Sequence, residues 1–346
     1  MNISKNSIRT SLRGRYDRSN LIKMSRLLHY VRNDDVVYRG ANIKLKPCIT
    51  FIFFLISFNL FSQTDYSWWG KVHNWDGITS WYNYLKFSPG YFGPNALPVP
   101  EITKGFVMDK GSIELAVDGH FSKGDNTQNL FTKLYYPIVA NLIAIESYVV
   151  PIEHFKMDTA TRDDRAARIK SGEGTAGGDI YFGTIIQLVK NKKFPDIAIR
   201  LSCRTASGTN VSAARYTDAP GYFFDLSGGK DFKIKNSENK KIRVYGMLGF
   251  YSWQTNSEAH RQDDALLYGA GIDFSCEKYT ISASSAGYIG YINNHDSPAV
   301  VRLNILRKGK SFNYGISTQY GLHDFYYKSI RLSLIYNLAE KLMLKK

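Results

Sequence analysis

From about Ser112 to the C-terminus, the chain is a series of segments of roughly 9 to 13 residues in which apolar and polar residues alternate. A period of two is expected of β-strands that have one apolar face. In the clearest segment, 311–322, one face consists of Phe312, Tyr314, Ile316, Thr318, Tyr320 and Leu322. The opposite face is small and polar, with Asn313, Gly315, Ser317, Gln319 and Gly321. The sequence therefore predicts an all-β fold.

Twelve such segments can be counted, and the links between them alternate in length. The predicted strands are residues 112–121, 131–139, 142–153, 179–189, 196–206, 221–231, 242–254, 265–275, 279–291, 298–308, 311–322 and 327–338. One set of links is mostly longer and polar, namely 122–130, 154–178, 207–220, 255–264, 292–297 and 323–326. The other set is 140–141, 190–195, 232–241, 276–278 and 309–310. Outer-membrane barrels alternate long external loops with short periplasmic turns in this way.

A soluble β-sandwich is the alternative, because it shares the alternation and the turn spacing. Three features favour a membrane protein. The strands are long enough to span a bilayer, Tyr and Phe recur near strand ends as in aromatic girdles, and the second face is rich in Gly, Ser and Arg. Every backbone group must find a partner in lipid, so the sheet is expected to close. We predict a transmembrane antiparallel β-barrel of about 12 strands.

The positive charge of the chain is concentrated at its beginning. The formal net charge is +15, of which the first 46 residues hold +8, with eleven Lys/Arg and three Asp/Glu, and the remaining chain holds +7. The part that follows the leader is therefore not strongly basic, and no nucleic-acid partner is predicted.

A short apolar run follows the basic stretch. Residues 48–61, CITFIFFLISFNLF, carry no charge and follow Lys44 and Lys46. A basic region, an apolar run of about 14 residues and a small residue near its end are typical of a secretory signal, whereas a spanning helix needs roughly 20 apolar residues. We expect cleavage after Ser62 or Gln63. The predicted divisions are a leader at 1–43, a signal peptide at 44–63, an aromatic periplasmic N-terminal segment at 64–108 and a barrel at 109–346.

The segment 64–108 is unusually aromatic. It holds four of the five tryptophans of the chain, which are Trp68, Trp69, Trp75 and Trp81. Large aromatic side chains are stabilised by burial. We therefore expect the segment to pack beneath the barrel, to enter the barrel as a plug, or to hold a periplasmic partner.

The chain lacks the common motifs of nucleotide and metal chemistry. No phosphate-binding loop, dinucleotide fingerprint, zinc-protease motif or nucleophile elbow occurs in a supporting context, so no cofactor or metal is predicted. The glycine-rich stretch 172–178 is interpreted as a flexible external loop. Cys203 and Cys276 lie beside strands that place them toward opposite rims, which argues against a disulfide.

His120 and Ser122 form the one pair with a catalytic pattern. An H-x-S spacing places an imidazole and a hydroxyl on the same side of a strand, as a His-activated serine requires. The pair, followed by Lys133-Leu134-Tyr135, resembles outer-membrane phospholipase A, a family of twelve-stranded barrels. The resemblance covers under twenty residues and implies a hydrolase with an orienting Asn. Thr132 stands where that Asn is expected, which leaves Asn126 or Asn129 for the role. The other interpretation, which the inward facing of the pair favours, is that His120 and Ser122 belong to a polar rim.

Charged residues of both signs fall on the predicted inner face. They are Glu114, Asp118, Arg200, Arg204, Asp225, Asp273, Arg302 and Arg331. Arg243 is ambiguous, because the facing of its strand is not clear from the pattern. These side chains could line a water-filled path that selects solutes by charge, or they could pair across the lumen and close it.

Taken whole, the sequence resembles uncharacterised outer-membrane β-barrel proteins of Bacteroidota. The features that carry the resemblance are the FSQ end of the signal, the stretch SPGYFGPNALPVP and the Tyr-rich alternating strands. The resemblance implies an outer-membrane location and membrane lipid as the surroundings of the barrel. From the inner-face charges we predict porin-like passage of small polar solutes. The alternatives are a barrel-borne hydrolase acting on phospholipid and a closed structural or assembly barrel.

Overall fold

The computed structural model describes residues 65–190, 193–234 and 239–338 of the 346-residue chain. The predicted leader and signal peptide lie outside the described residues. Within the described part, thirteen strands join in one sheet. They are β1 (Ser112–Phe121), β2 (Asp125–Val139), β3 (Ile143–Met157), β4 (Glu173–Ala176), β5 (Tyr181–Val189), β6 (Asp196–Arg204), β7 (Gly221–Lys233), β8 (Lys241–Gln254), β9 (Gln262–Ser275), β10 (Tyr279–Ile289), β11 (Ala299–Arg307), β12 (Phe312–His323) and β13 (Lys328–Asn337).

The sheet closes on itself. β1 pairs antiparallel with β2 and also with β13, with Ser112 opposite Asn337 and Phe121 opposite Lys328. Every other barrel strand pairs antiparallel with its neighbours in the sequence, except that β3 passes over the short β4 to pair with β5. The barrel thus has twelve strands, and β4 lies outside the ring, against the far end of β3. This confirms the predicted fold.

The outer face of the barrel is apolar and exposed. In β1, Leu115 and Val117 are each 55% exposed, while Asp118 between β2 and β13 is 2% exposed. The same contrast recurs around the ring, with Leu201, Leu248, Leu303 and Leu332 each more than half exposed. A continuous exposed apolar belt on a closed sheet is stable in hydrocarbon and not in water. The barrel is therefore a transmembrane barrel, with its polar side chains turned inward.

The two rims differ, and we name them by their connections. The turn rim carries the links 140–142, 190–195, 234–240, 276–278 and 308–311. The loop rim carries the links 122–124, 158–180, 205–220, 255–261, 290–298 and 324–327. The alternation predicted from the sequence is present, with longer connections on the loop rim.

Two loop-rim features differ from the sequence prediction. The first loop was predicted at 122–130, but β2 begins already at Asp125, because Asp125, Thr127 and Asn129 continue the inward alternation above the apolar belt. The glycine-rich stretch 172–178 is not irregular throughout, since Glu173–Ala176 pairs with β3 as β4. The loop that contains it also holds a short helix, α2 (Thr159–Asp164), while α1 (Ser67–Val72) precedes the barrel.

Among the helices within the ranges that the structure covers, none is long and apolar enough to cross a membrane.

The N-terminal segment passes through the barrel. Near the turn rim, Lys104 Nζ lies 2.8 Å from a carboxylate oxygen of Asp273, two residues before the end of β9. At the loop rim, the carbonyl of Phe87 accepts a hydrogen bond of 3.1 Å from Nε1 of Trp253, one residue before the end of β8. Residues 93–107, here called the inserted segment, therefore run the length of the lumen between these two anchors. Residues 65–92, here called the cap, lie at the loop rim.

The cap lies at the rim opposite to the short turns. Segment 64–108 was expected on the side of the short turns, and which rim faces the periplasm stays a prediction. The inserted segment lies inside the barrel, which was one of the three possibilities. The aromatic cap instead packs against the loops at the opposite rim. The reason is that the chain crosses the lumen before β1 begins, a step that the pattern of alternating residues does not encode.

The inner surface has two unlike walls. The inserted segment packs its apolar side chains, Leu97, Val99 and Ile102, against a wall of large side chains from β5 and β7 to β10. These include Tyr181, Phe223, Tyr245, Met247, Tyr251, Leu267 and Tyr288. The opposite wall, formed mainly by β1, β2 and β11 to β13, is charged. The prediction of a small, polar inner face therefore does not hold for the wall of large side chains.

Candidate functional site: the lumen

The inserted segment is held through its backbone carbonyls by arginines of the barrel. Arg204 donates to the carbonyl of Ala96 at 2.6 Å, and Arg200 donates to the carbonyl of Glu101 at 2.7 Å. Arg302 spans two carbonyls, those of Val99 and Pro100, at 2.5 and 3.2 Å. Proline has no N–H, so a segment with Pro94, Pro98 and Pro100 offers acceptors with few donors, and arginine supplies the matching donors. The recurring inner-face arginines therefore bind backbone as well as carboxylates.

The acidic and basic residues that the sequence placed on the inner face are there, and most are paired. Arg331 contacts Asp118 through two bonds of 2.6 and 2.8 Å. Arg200 Nε lies 2.7 Å from Asp225. The remaining predicted residues bind other partners: Glu114 accepts from Ser333 at 2.6 Å, Arg204 lies 3.8 Å from Asp179, and Asp273 binds Lys104 and Tyr245 at 2.8 and 2.9 Å. The ambiguous Arg243 also points inward, with Asp231 at 2.8 Å and Asp196 at 3.0 Å.

Among the charged residues of the lumen, Lys133, Glu146 and Glu101 were not predicted from the sequence. Lys133 and Glu146 form an ion pair of 3.0 Å between β2 and β3. Lys133 had been considered only as part of the KLY motif, although it continues the unbroken inward alternation of β2 on which Asn129 and Tyr135 also lie. Glu101 lies on the inserted segment, where no strand pattern assigns a facing.

The Glu101 carboxylate faces open space in the middle of the lumen. Its side chain is enclosed by the barrel and is nevertheless 64% accessible, since a cavity lies in front of it. Each of its oxygens is 4.0 Å from a cation, one from Lys133 Nζ and the other from Arg331 Nη1. Four cations, those of Lys133, Arg331, Arg302 and Arg200, lie close enough to act on this carboxylate, and nearby positive charge favours its ionised form.

A cavity of about 150 Å³ separates the inserted segment from the charged wall. Its lining includes Glu101, Lys133, Arg302 and Arg331, with Phe131 on the same side. The planar guanidinium of Arg331 lies 3.8 Å above the ring of Phe131, a cation–π contact that fixes its orientation. The site therefore combines oriented cations, a carboxylate and an aromatic surface around open space.

The candidate pair of His120 and Ser122 is not joined by a hydrogen bond in the structure. Ser122 donates to the carbonyl of Asp125 at 3.0 Å in the tight turn after β1. His120 instead lies 2.7 Å from Ser329 Oγ through Nδ1 and 2.9 Å from Asn129 Oδ1 through Nε2. Antiparallel pairing places Ser329 directly opposite His120, which no local sequence pattern shows. Of the two asparagines considered, it is Asn129 that contacts the imidazole.

A second cluster of charges lies buried between the lumen and the loop rim. The guanidinium of Arg215 is fully buried and binds Glu153 and Asp125, each at 2.7 Å. Arg165 binds the same Asp125 oxygen at 2.7 Å, and Tyr327 donates to it at 2.6 Å. Burial by itself would lower the pKa of Arg215, but the two carboxylates outweigh burial and raise it. This network joins the loops 158–180, 205–220 and 324–327 to β2 and β3.

The tryptophans of the cap lie against the loops of the chain itself. Trp69 is buried and donates from Nε1 to the carbonyl of Ala166 at 2.9 Å. Arg162 lies 4.3 Å over the ring of Trp68. Arg168 lies 5.0 Å over Trp81. Trp75 is the most exposed of the four, at 39%.

Comparisons with known proteins find similarity among solved structures only. No family model and no curated protein matches the sequence. Among solved structures, the chain is similar to the KdgM porin at 11% identity and a TM-score of 0.38, with 65% of this chain and 99% of that chain covered. An outer-membrane channel from Pseudomonas putida F1 is similar at 9% identity and a TM-score of 0.45, covering 70% and 100%. The transport unit of the autotransporter AIDA-I from Escherichia coli is similar at 7% and 0.44, covering 73% and 100%.

Proposed function

We propose that this chain is an exported outer-membrane channel for small polar solutes, which pass between the inserted segment and the charged wall. The observation that supports this proposal is the cavity beside Glu101, where ionised groups on both sides keep the space polar. A barrel meant only to be closed would be stabilised more by apolar contacts than by cations held 4.0 Å from a carboxylate. Export through the predicted signal at 44–63 is part of the proposal.

The inserted segment limits the size of what can pass. It packs against the wall of large side chains and leaves the cavity of about 150 Å³ on the side of the charged wall. Twelve strands enclose an interior between that of a filled eight-stranded barrel and that of an open porin. We therefore expect a narrow path with small unitary currents.

Conductance across a planar bilayer tests the proposal. The full chain should give small unitary currents, and a variant that lacks residues 65–104 should give larger ones, since the deletion removes the cap and most of the inserted segment. The absence of currents from both proteins, each shown to be folded by heat-modifiable mobility on a gel, would rule out passage. The closed structural or assembly barrel would then be the better description, with the exposed Trp75 at the loop rim as its contact surface.

Hydrolysis is a second candidate function, favoured by the contacts of His120. If Asn129 Oδ1 accepts from Nε2–H, Nδ1 is free to accept the proton of Ser329, which is the arrangement of a base and its nucleophile. Asn129 in turn donates to Asp118 at 2.9 Å. The group faces the cavity, so the substrate would be a water-soluble ester and not a bilayer phospholipid.

Labelling with a fluorophosphonate probe tests the hydrolase. An activated Ser329 should react with the probe, the Ser329→Ala variant should not, and Ser122→Ala should react as the unaltered chain does. Equal labelling of both variants, or none of the unaltered chain, would remove this candidate and leave His120 as a structural contact.

A further inference from the structure

Three of the four cations around the cavity have an acidic partner on the barrel wall. The pairs are Lys133 with Glu146, Arg331 with Asp118 and Arg200 with Asp225, at 3.0, 2.6 and 2.7 Å. Arg302 differs from them. Its hydrogen bonds go to the neutral oxygens of Gln319, Val99 and Pro100. Within the described ranges, no carboxylate comes within the 4.0 Å of an ion pair to Arg302.

The carboxylate of Glu101 stands among these cations without a close contact to Lys133 or Arg331. Its oxygens stand 4.0 Å from Lys133 and from Arg331, whereas the wall pairs are closed at 2.6 to 3.0 Å. A charge-assisted hydrogen bond normally brings nitrogen and oxygen to about 2.7–2.9 Å. The Glu101 carboxylate is thus attracted by the surrounding cations without forming a direct bond to either of these two. It can be displaced without breaking such a bond.

We infer that the cavity binds a small organic carboxylate, whose anionic group takes the place of the Glu101 side chain between Lys133, Arg302 and Arg331. The inference rests on the proposed passage of solutes and names their class. Glu101 then acts as a tethered competitor that occupies the site until a solute arrives. A neutral solute would leave the cations no better paired than before, so the charge of the solute decides its binding.

The apolar part of the solute also has a surface to contact. Phe131 and Tyr148 line the cavity beside the cations. Cavities of about 150 Å³ hold a ligand the size of benzene, and this cavity is of that volume. Benzoate combines a carboxylate with such a ring and is the probe of choice. Benzyl alcohol has nearly the same shape without the charge and is the matched neutral probe.

Calorimetric titration of the purified full chain in detergent, corrected against empty micelles, tests the inference. Benzoate should bind the unaltered chain, and benzyl alcohol should bind at least tenfold more weakly. Arg302→Gln should weaken benzoate binding about tenfold or more, because a hydrogen bond to a charged group is lost. Glu101→Gln should tighten it by a similar factor, because the competitor is gone. Arg302→Lys keeps the charge and should retain part of the affinity.

Arg307→Gln is the control variant. Arg307 lies five residues after Arg302 on the same strand, is exposed near the turn rim, and is not part of the cavity lining. This substitution should leave benzoate binding unchanged. Gel mobility of unheated samples checks that every variant is folded.

The outcomes separate the inference from the function on which it rests. Benzoate binding without channel currents would remove the proposed passage and keep the carboxylate site. Currents in a chain that binds benzoate and benzyl alcohol equally, or in which Arg302→Gln and Arg307→Gln behave alike, would overturn the carboxylate site and keep the channel.

Discussion

Arginine is the residue that connects most parts of this molecule. Arg200 illustrates how, since one guanidinium binds the wall carboxylate of Asp225 and the backbone carbonyl of Glu101. Arg215 does the same on the loop side, with two carboxylates and Thr127 as its acceptors. A guanidinium has five donors in a fixed plane, so one side chain can join three chain segments. The lumen therefore depends on geometry as well as on charge.

Replacing Arg215 by Met should destabilise the protein strongly. The change leaves Asp125 and Glu153 buried without one of their charged partners, which typically costs about 3–5 kcal/mol in the free energy of unfolding. Urea unfolding in detergent micelles, followed by tryptophan fluorescence, measures the loss. Arg261→Met is the control, because Arg261 is exposed in the link 255–261. A loss of less than 1 kcal/mol for Arg215→Met would show that Arg165 and Tyr327 suffice for Asp125.

The charge of Glu101 should influence which ions pass. Its carboxylate oxygens lie 4.0 Å from Lys133 and from Arg331, beside the cavity. The reversal potential of the channel in a KCl gradient should therefore be more anion-selective for Glu101→Gln than for the unaltered chain at pH 7, because a negative charge is removed from the path. Equal reversal potentials would mean that the permeating ions do not pass Glu101.

For single residues, the sequence predicted the side of the strand on which each lies but not the residues that it contacts. Period-two alternation was sufficient to place Asp118, Asp225 and Arg331 inside, because it reports the side of a strand on which a residue lies. It could not show that Ser329 faces His120, since that contact depends on the register between the first and last strands. Nor could it show Glu101, which lies on a segment without a strand period.

Among the elements, the inserted segment is held at its turn-rim end by a close approach of backbone to barrel. Gly105 has a φ of +78°, and a Cβ at this position would come within 2.6 Å of the backbone nitrogen of Gly229 on β7. Only glycine fits here, because both the backbone conformation and the space exclude a side chain. The end of the inserted segment thus packs directly against the wall.

Gly105→Ala should loosen the inserted segment and enlarge the channel currents. Gly77→Ala is a matched control, since Gly77 has a φ of +79° but a Cβ there meets nothing within 4 Å. Both variants carry a similar backbone strain of about 1 kcal/mol, and only Gly105→Ala adds a clash. Unitary conductance of the two variants, recorded side by side, checks this. Equal conductance would show that the segment yields at Gly105 without leaving the wall.

Of the elements, the barrel strands were the most predictable. Each of the twelve predicted segments overlaps one barrel strand, because the alternation and the length of a membrane strand are both fixed by the bilayer. Errors occur where that constraint ends. β2 starts at Asp125 instead of residue 131, and β4 was missed, since both lie beyond the apolar belt. The inserted segment has neither the period of a strand nor that of a helix. Its path is set by contacts with several strands that are distant in the sequence, which the pattern does not show.

For the whole molecule, the passage of the inserted segment through the lumen predicts the side of the membrane on which the cap lies. If the loop rim is external, the cap is outside the cell although β1 begins on the periplasmic side. Ile78, which is 90% exposed in the cap, is a suitable position for a cysteine. In a Cys203→Ser background, Ile78→Cys should react with a membrane-impermeant maleimide on intact cells. Cys276, in a turn-rim link, should react only after the outer membrane is permeabilised.

The opposite labelling pattern would place the loop rim in the periplasm. In that case the orientation inferred from loop lengths would be wrong, while the path of the chain through the barrel would be unchanged.

The seam between β1 and β13 sets an order of events during assembly. The folded cap, anchored by Trp69 and by Phe87, is too large to pass through a barrel that has already closed. The strands must therefore encircle the inserted segment while the seam is still open, or the cap must remain unfolded until it has been drawn across. A bulky domain fused ahead of residue 65 should slow this step. The pairing of β1 with β13 is therefore the assembly step after which the path of the chain through the barrel can no longer change.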